Sequence, residues 1–128
     1  MLSASGRVFA GEADDLQRMI DTARQGAKDL SGLDEQRAVR DELTVMNVWL
    51  DAAWRMRSEQ KYDEVREVLD RCQAQAEMIR QKIVAAKASA EATKKEAEVA
   101  RIRSEIVKTK EALHAATIQK AALDARTK

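Results

Sequence analysis

From Glu12 onward apolar residues recur at steps of three and four, the spacing that lines one side of an α-helix. Leu16, Met19, Ile20, Ala23, Ala27 and Leu30 form the first stripe, and Glu12, Asp14 and Asp15 stand ahead of it, where negative charge favours a helix N-terminus. The stretch DLSGLDEQ interrupts the period. Gly32 there suits the left-handed residue that closes a helix, and Ser31 or Asp34 suits the cap of the next. So short a connection predicts an antiparallel neighbour. A second stripe holds Val39, Leu43, Met46, Leu50 and Ala53, with Val45, Trp49, Ala52 and Met56 beside it. That face is broad enough for two neighbouring helices.

Carrying the second stripe forward from Ala53 lands on Arg57, Gln60 and Glu64, all polar, while the next apolar series is Tyr62, Val65, Leu69, Cys72, Ala76, Ile79 and Ile83. The phase breaks at residues 57–61. A continuous helix would have to move its buried face abruptly, whereas a turn through RSEQK re-sets the face. The spacing therefore predicts a hairpin over residues 35–79, although no glycine or proline marks its turn.

After Tyr62 nothing in the sequence stops the helix. About 65 residues at 1.5 Å each extend roughly 100 Å, against about 30 Å for a 20-residue hairpin arm, so most of this helix is expected to overhang. Val99, Ile102, Ile106, Leu113, Ala116 and Leu123 follow three-four spacing through Thr109, a heptad-like seam. At 100° per residue this seam is turned by roughly 100° or more from the Val65 and Leu69 face. One straight neighbour cannot serve both. The expected fold is all-α: a small three-helix antiparallel head over residues 12–79 and a very long, coiled-coil-like C-terminal helix continuing through 80–128.

Composition agrees with that class. Of 128 residues 35% are charged and only 3% aromatic, with no proline and four glycines, the makeup of long helices with a modest core. Residues 1–11, with Ser and Gly and no period, read as an unstructured leader. Val8 and Ala10, three and one residues before Gly11, also fit the cleavage site of an exported protein, so a signal-peptide remnant is the second reading of that stretch. No run approaches the roughly 18 apolar residues that cross a bilayer, and no transmembrane segment is expected.

The stretch WLDAAWRMRSEQKYDEVREVLDRC resembles a tetratricopeptide repeat hairpin. Trp49, Ala53, Met56, Tyr62, Val65, Leu69 and Cys72 stand at its large, small, large, aromatic, small, large and small positions. Gln60 takes the place of the usual turn glycine, Val65 that of an alanine, and no proline ends the second helix near Glu77. The resemblance covers one repeat and implies a recognition module that captures a partner's helix between its first two helices. A hairpin followed by an alanine-rich helix also resembles a little-characterised helical domain of bacterial envelope proteins. That likeness implies a periplasmic setting, with the cytoplasm as the alternative.

Candidate chemistry is sparse. There is no phosphate-binding glycine loop, no H-E-x-x-H, no C-x-x-C and no nucleophile elbow. Asp14 with Asp15, and Asp63 with Glu64, sit at helix starts, where the helix dipole accounts for them. Cys72 falls on the hairpin's inner face as a small packing residue, and His114 reads as a solvent-facing residue of the long helix. No enzymatic activity, cofactor or metal is expected.

Charge divides the chain unevenly: residues 1–79 hold 11 Lys and Arg against 16 Asp and Glu, net −5, and residues 80–128 hold 12 against 6, net +6. A basic tail can bind an anionic polymer. Yet its cations are interleaved with Glu91, Glu96, Glu98, Glu105 and Glu111, and it has no aromatic residue on which a base could stack. Nucleic acid is therefore disfavoured. The expected function is that of a structural or adaptor subunit that self-assembles or docks onto a protein partner through Val99, Ile102, Ile106, Leu113 and Leu123.

Overall fold

A computed structural model describes the backbone of residues 2–127 and the side chains of residues 11–127. The chain forms α1 (Leu2–Leu33), α2 (Arg40–Ser58) and α3 (Tyr62–Thr127), with no strand among the described residues. The fold is all-α, as periodicity and composition predict. The chain divides into two compact units, Met1–Ala88 and Ser89–Lys128.

Unit 1 is a three-helix bundle. Leu16, Ile20, Ala27 and Leu30 of α1, Val39 beside Leu43, Met46, Leu50 and Ala53 of α2, and Val65, Leu69, Cys72, Ala76, Ile79 and Ile83 of α3 form one buried cluster. All three stripes face a common centre because each repeats at three and four residues. No charged or polar residue of the described chain is buried, so apolar burial, at about 1.5–3 kcal/mol per large side chain, supplies the cohesion. Met19, expected in the core, is half exposed, since it stands at the edge of its stripe, about 60° from Leu16.

Polar contacts around the core report the helix directions. Arg24 of α1 donates to Asp51 of α2 at 2.8 Å, and Lys82 of α3 donates to Glu42 of α2 at 2.9 Å. Arg66, near the start of α3, donates to Glu12 of α1. Consecutive helices therefore run antiparallel, and α1 and α3 run in the same direction.

The predicted turn is present, and Gln60 takes the left-handed position that glycine usually fills. Lys61 N–H donates to Met56 O at 2.9 Å and Gln60 N–H to Arg57 O at 3.0 Å, with Gln60 at φ 64°. This is the Schellman arrangement, in which a left-handed residue lets the chain bond back onto the last carbonyls of the helix.

The first connection differs from expectation. Gly32 belongs to α1, and Arg37, at φ 55°, takes the left-handed conformation instead. Asp34 accepts the N–H groups of Ala38 at 2.7 Å and Val39 at 3.1 Å. That pairing satisfies the donors just ahead of α2 and holds residues 35–39 out of the helix, which starts at Arg40 rather than near residue 35.

Two boundaries also move. The backbone is helical from Leu2, where an irregular leader was expected over residues 1–11. With no proline in the stretch, a helix anchored by Leu16 and Ile20 extends at little further cost, because propagation is far easier than nucleation. Unit 1 ends at Ala88 rather than at residue 79, because Ile83 is buried and Lys82 is tied to Glu42.

Candidate interaction surface

Unit 2 consists of the part of α3 from Ser89 onward. Its helicity follows from local preference: it has many alanines, neither glycine nor proline, and an ion pair of 2.8 Å from Arg101 to Glu105, four residues on. Every residue from 89 to 127 is exposed. No hydrophobic side chain here is covered.

Val99, Ile102, Ile106, Leu113 and Leu123, the residues expected to form the seam, are all on this helix and between 42% and 66% exposed. Their recurrence at three- and four-residue steps through Thr109, Ala116 and Lys120 places them along one side. Val107 and Ile118 are exposed as well and were not anticipated. They stand eleven residues apart, about three turns, on a second and narrower line outside the three-four spacing of the seam.

Unit 1 carries a different surface feature. A groove of about 440 Å³ is lined by Met19, Ala23 and Gly26 of α1, Met46 of α2 and Leu69, Cys72 and Ala76 of α3, with Arg18 and Arg80 among its walls. Small side chains open it. Arg18 is paired with Asp15 and Arg80 with Glu77 at 3.2 Å, so both guanidinium groups are already engaged on their own helices.

The titratable groups serve packing and pairing. Burial pushes the Cys72 thiol above its ordinary range, which disfavours the reactive thiolate. The hydrogen bond from Lys82 holds the Glu42 carboxyl below its ordinary value, and Glu59 raises the Lys61 ammonium. Asp63 and Glu64 occupy the first turn of α3, where Asp63 accepts from Arg66 at 3.2 Å. His114 is exposed in unit 2. Among the described residues no cluster of His, Cys, Asp or Glu could hold a metal ion, and no helix is long and apolar enough to cross a membrane.

Comparison of the chain with protein-family models, curated proteins and solved structures found no match.

Proposed function

We propose that the protein is a non-enzymatic structural or adaptor subunit that assembles or docks through the helix of unit 2. One observation carries this reading: five large apolar residues, Val99, Ile102, Ile106, Leu113 and Leu123, lie uncovered along a heptad-like line in a unit with no core of its own. Uncovered apolar side chains gathered on one side of a helix are characteristic of an interaction site. The bacterial cell envelope is the setting implied by the resemblance to helical envelope domains.

The rival electrostatic reading has less charge behind it once the units are separated. Residues 1–88 hold 14 cationic and 16 acidic residues, net −2, and residues 89–128 hold 9 and 6, net +3. A second reading, recognition of a partner helix by the tetratricopeptide-like hairpin, is favoured by the apolar groove of unit 1, which differs from the expected site in being lined chiefly by α1 and α3.

The test is association of the wild type and of the Ile102→Lys/Ile106→Lys variant, by sedimentation or pull-down at low and high salt. Seam docking predicts loss of association in the variant at both salts with unit 1 still folded. An anionic partner predicts tighter binding by the variant and weakening of the wild type by salt. A variant that associates normally at both salts shows that the seam is not the docking surface.

A further inference from the structure

We infer that the occupant of the seam is a second copy of this chain, wound in parallel and in register as a two-stranded coiled coil. The inference deepens the assembly reading and rests on it. Val99, Ile106 and Leu113 are seven residues apart, with Lys120 next in that series, and Ile102 and Leu123 stand three residues after Val99 and Lys120, which assigns them to the a and d positions of a heptad. The positions that flank such a core then follow. Glu98 and Glu105 take g, and Arg103 and Lys110 take e.

These four residues are the chemical content of the inference. In a parallel pair each g residue faces the e residue five positions on in the other copy: Glu98 faces the partner's Arg103, and Glu105 faces the partner's Lys110. Two-fold symmetry repeats both, making four oppositely charged pairs. In an antiparallel pair g meets g and e meets e, so the acidic positions line up along one edge and the basic ones along the other. Charge therefore selects the parallel arrangement.

A second feature separates Arg103 and Lys110 from the other cations between Lys87 and Lys120. Every other cation from Lys87 to Lys120 has an acidic residue three or four positions away, within pairing reach on its own helix. Arg103 has Val99, Ala100, Ile106 and Val107 at those positions, and Lys110 has Ile106, Val107, Leu113 and His114. Neither can be neutralised by a helical neighbour, and the two are seven residues apart on the edge that a second copy would present to Glu98 and Glu105. Glu105 already holds Arg101 at 2.8 Å, and one carboxylate can accept from both cations.

The a positions are the part of the core that favours two strands. Val99 and Ile106 put β-branched side chains at a, and Lys120 puts a charged one there, a device that restricts register and strand number at some cost in stability. Thr109 and Ala116 at d add little burial, so the assembly is reversible and concentration-dependent.

The experiment uses the full chain. Wild type should rise from the 14.3 kDa monomer mass toward twice that value as concentration increases through the micromolar range. In a Cys72→Ala background, Thr109→Cys and Ala116→Cys should each form an interchain disulfide on mild oxidation, since in a parallel register every position meets itself, whereas a given antiparallel register allows one at most. Glu98→Lys/Glu105→Lys and Arg103→Glu/Lys110→Glu should each weaken self-association, on the order of a hundredfold when four attractive pairs become repulsive. An equimolar mixture of the two should restore it. A monomeric wild type overturns the inference, and so does cross-linking at only one position, or self-association of both charge variants at wild-type strength. A monomer leaves docking onto another protein standing, because that is read from the double-lysine variant and its partner.

Discussion

The backbone N–H of Lys61 donates to the carbonyl of Met56, five residues back, at 2.9 Å. That bond closes α2 around Gln60, whose φ of 64° lies in the left-handed region. A side chain there costs energy that glycine does not. Gln60→Gly should therefore stabilise unit 1 by about 0.5–1 kcal/mol, the backbone relief exceeding the entropy that glycine adds to the unfolded chain. Urea unfolding followed by tryptophan fluorescence measures this; an unchanged or lowered midpoint refutes the strain assigned to Gln60.

The two tryptophans separate the inner from the outer side of α2. Trp49 is half-buried and packs against the core cluster, while Trp54 is 47% exposed. Trp49→Ala should cost about 2–3 kcal/mol, at or just below the range for a fully buried aromatic, and Trp54→Ala should stay within about 0.5 kcal/mol. Equal effects in thermal unfolding contradict the assigned faces.

Cys72 is buried, and its thiol is raised above an ordinary value of 9.0 by desolvation. Between the unfolded and folded pKa the unfolded chain ionises and the folded one does not, so the unfolded state binds fewer protons and stability falls as pH rises. The contribution is fully present below the unfolded pKa and is lost as pH climbs through the folded one. Unfolding curves from pH 8 to 11 should show a loss in wild type that Cys72→Ala lacks, and thiol reagents should label native Cys72 more slowly than urea-unfolded chain. Parallel pH profiles for the two proteins contradict this role for the thiol.

The stripes of α2 and α3 could be read from the sequence because amphipathic periodicity is local. Leu43, Met46, Leu50 and Ala53, and then Val65, Leu69, Cys72, Ala76, Ile79 and Ile83, are buried as their spacing requires. The break between them located the turn without a glycine or proline, since a helix cannot shift its buried face by a fraction of a turn at no cost. The same periodicity puts Val99, Ile102, Ile106, Leu113 and Leu123 on one side of the long helix, where they are exposed. Val107 and Ile118 fall outside that line, because they belong to a different period.

What the amino-acid sequence determines by itself is thus whatever depends on residues within about two turns of each other: the helices, their apolar sides, and the lack of an acidic residue three or four positions from Arg103 or Lys110. Only the tertiary structure decided what depends on distant segments or on the exact path of a loop. Glu12 meets Arg66, 54 residues on, and Glu42 meets Lys82, 40 residues on, pairings that helix period does not specify. Asp34 bonds forward to Ala38 and Val39, which moves the left-handed residue from Gly32 to Arg37 and the start of α2 to Arg40. The physical reason is that helix period is a short-range backbone property, whereas pairing across helices and capping within a loop depend on where the packed core places each chain segment.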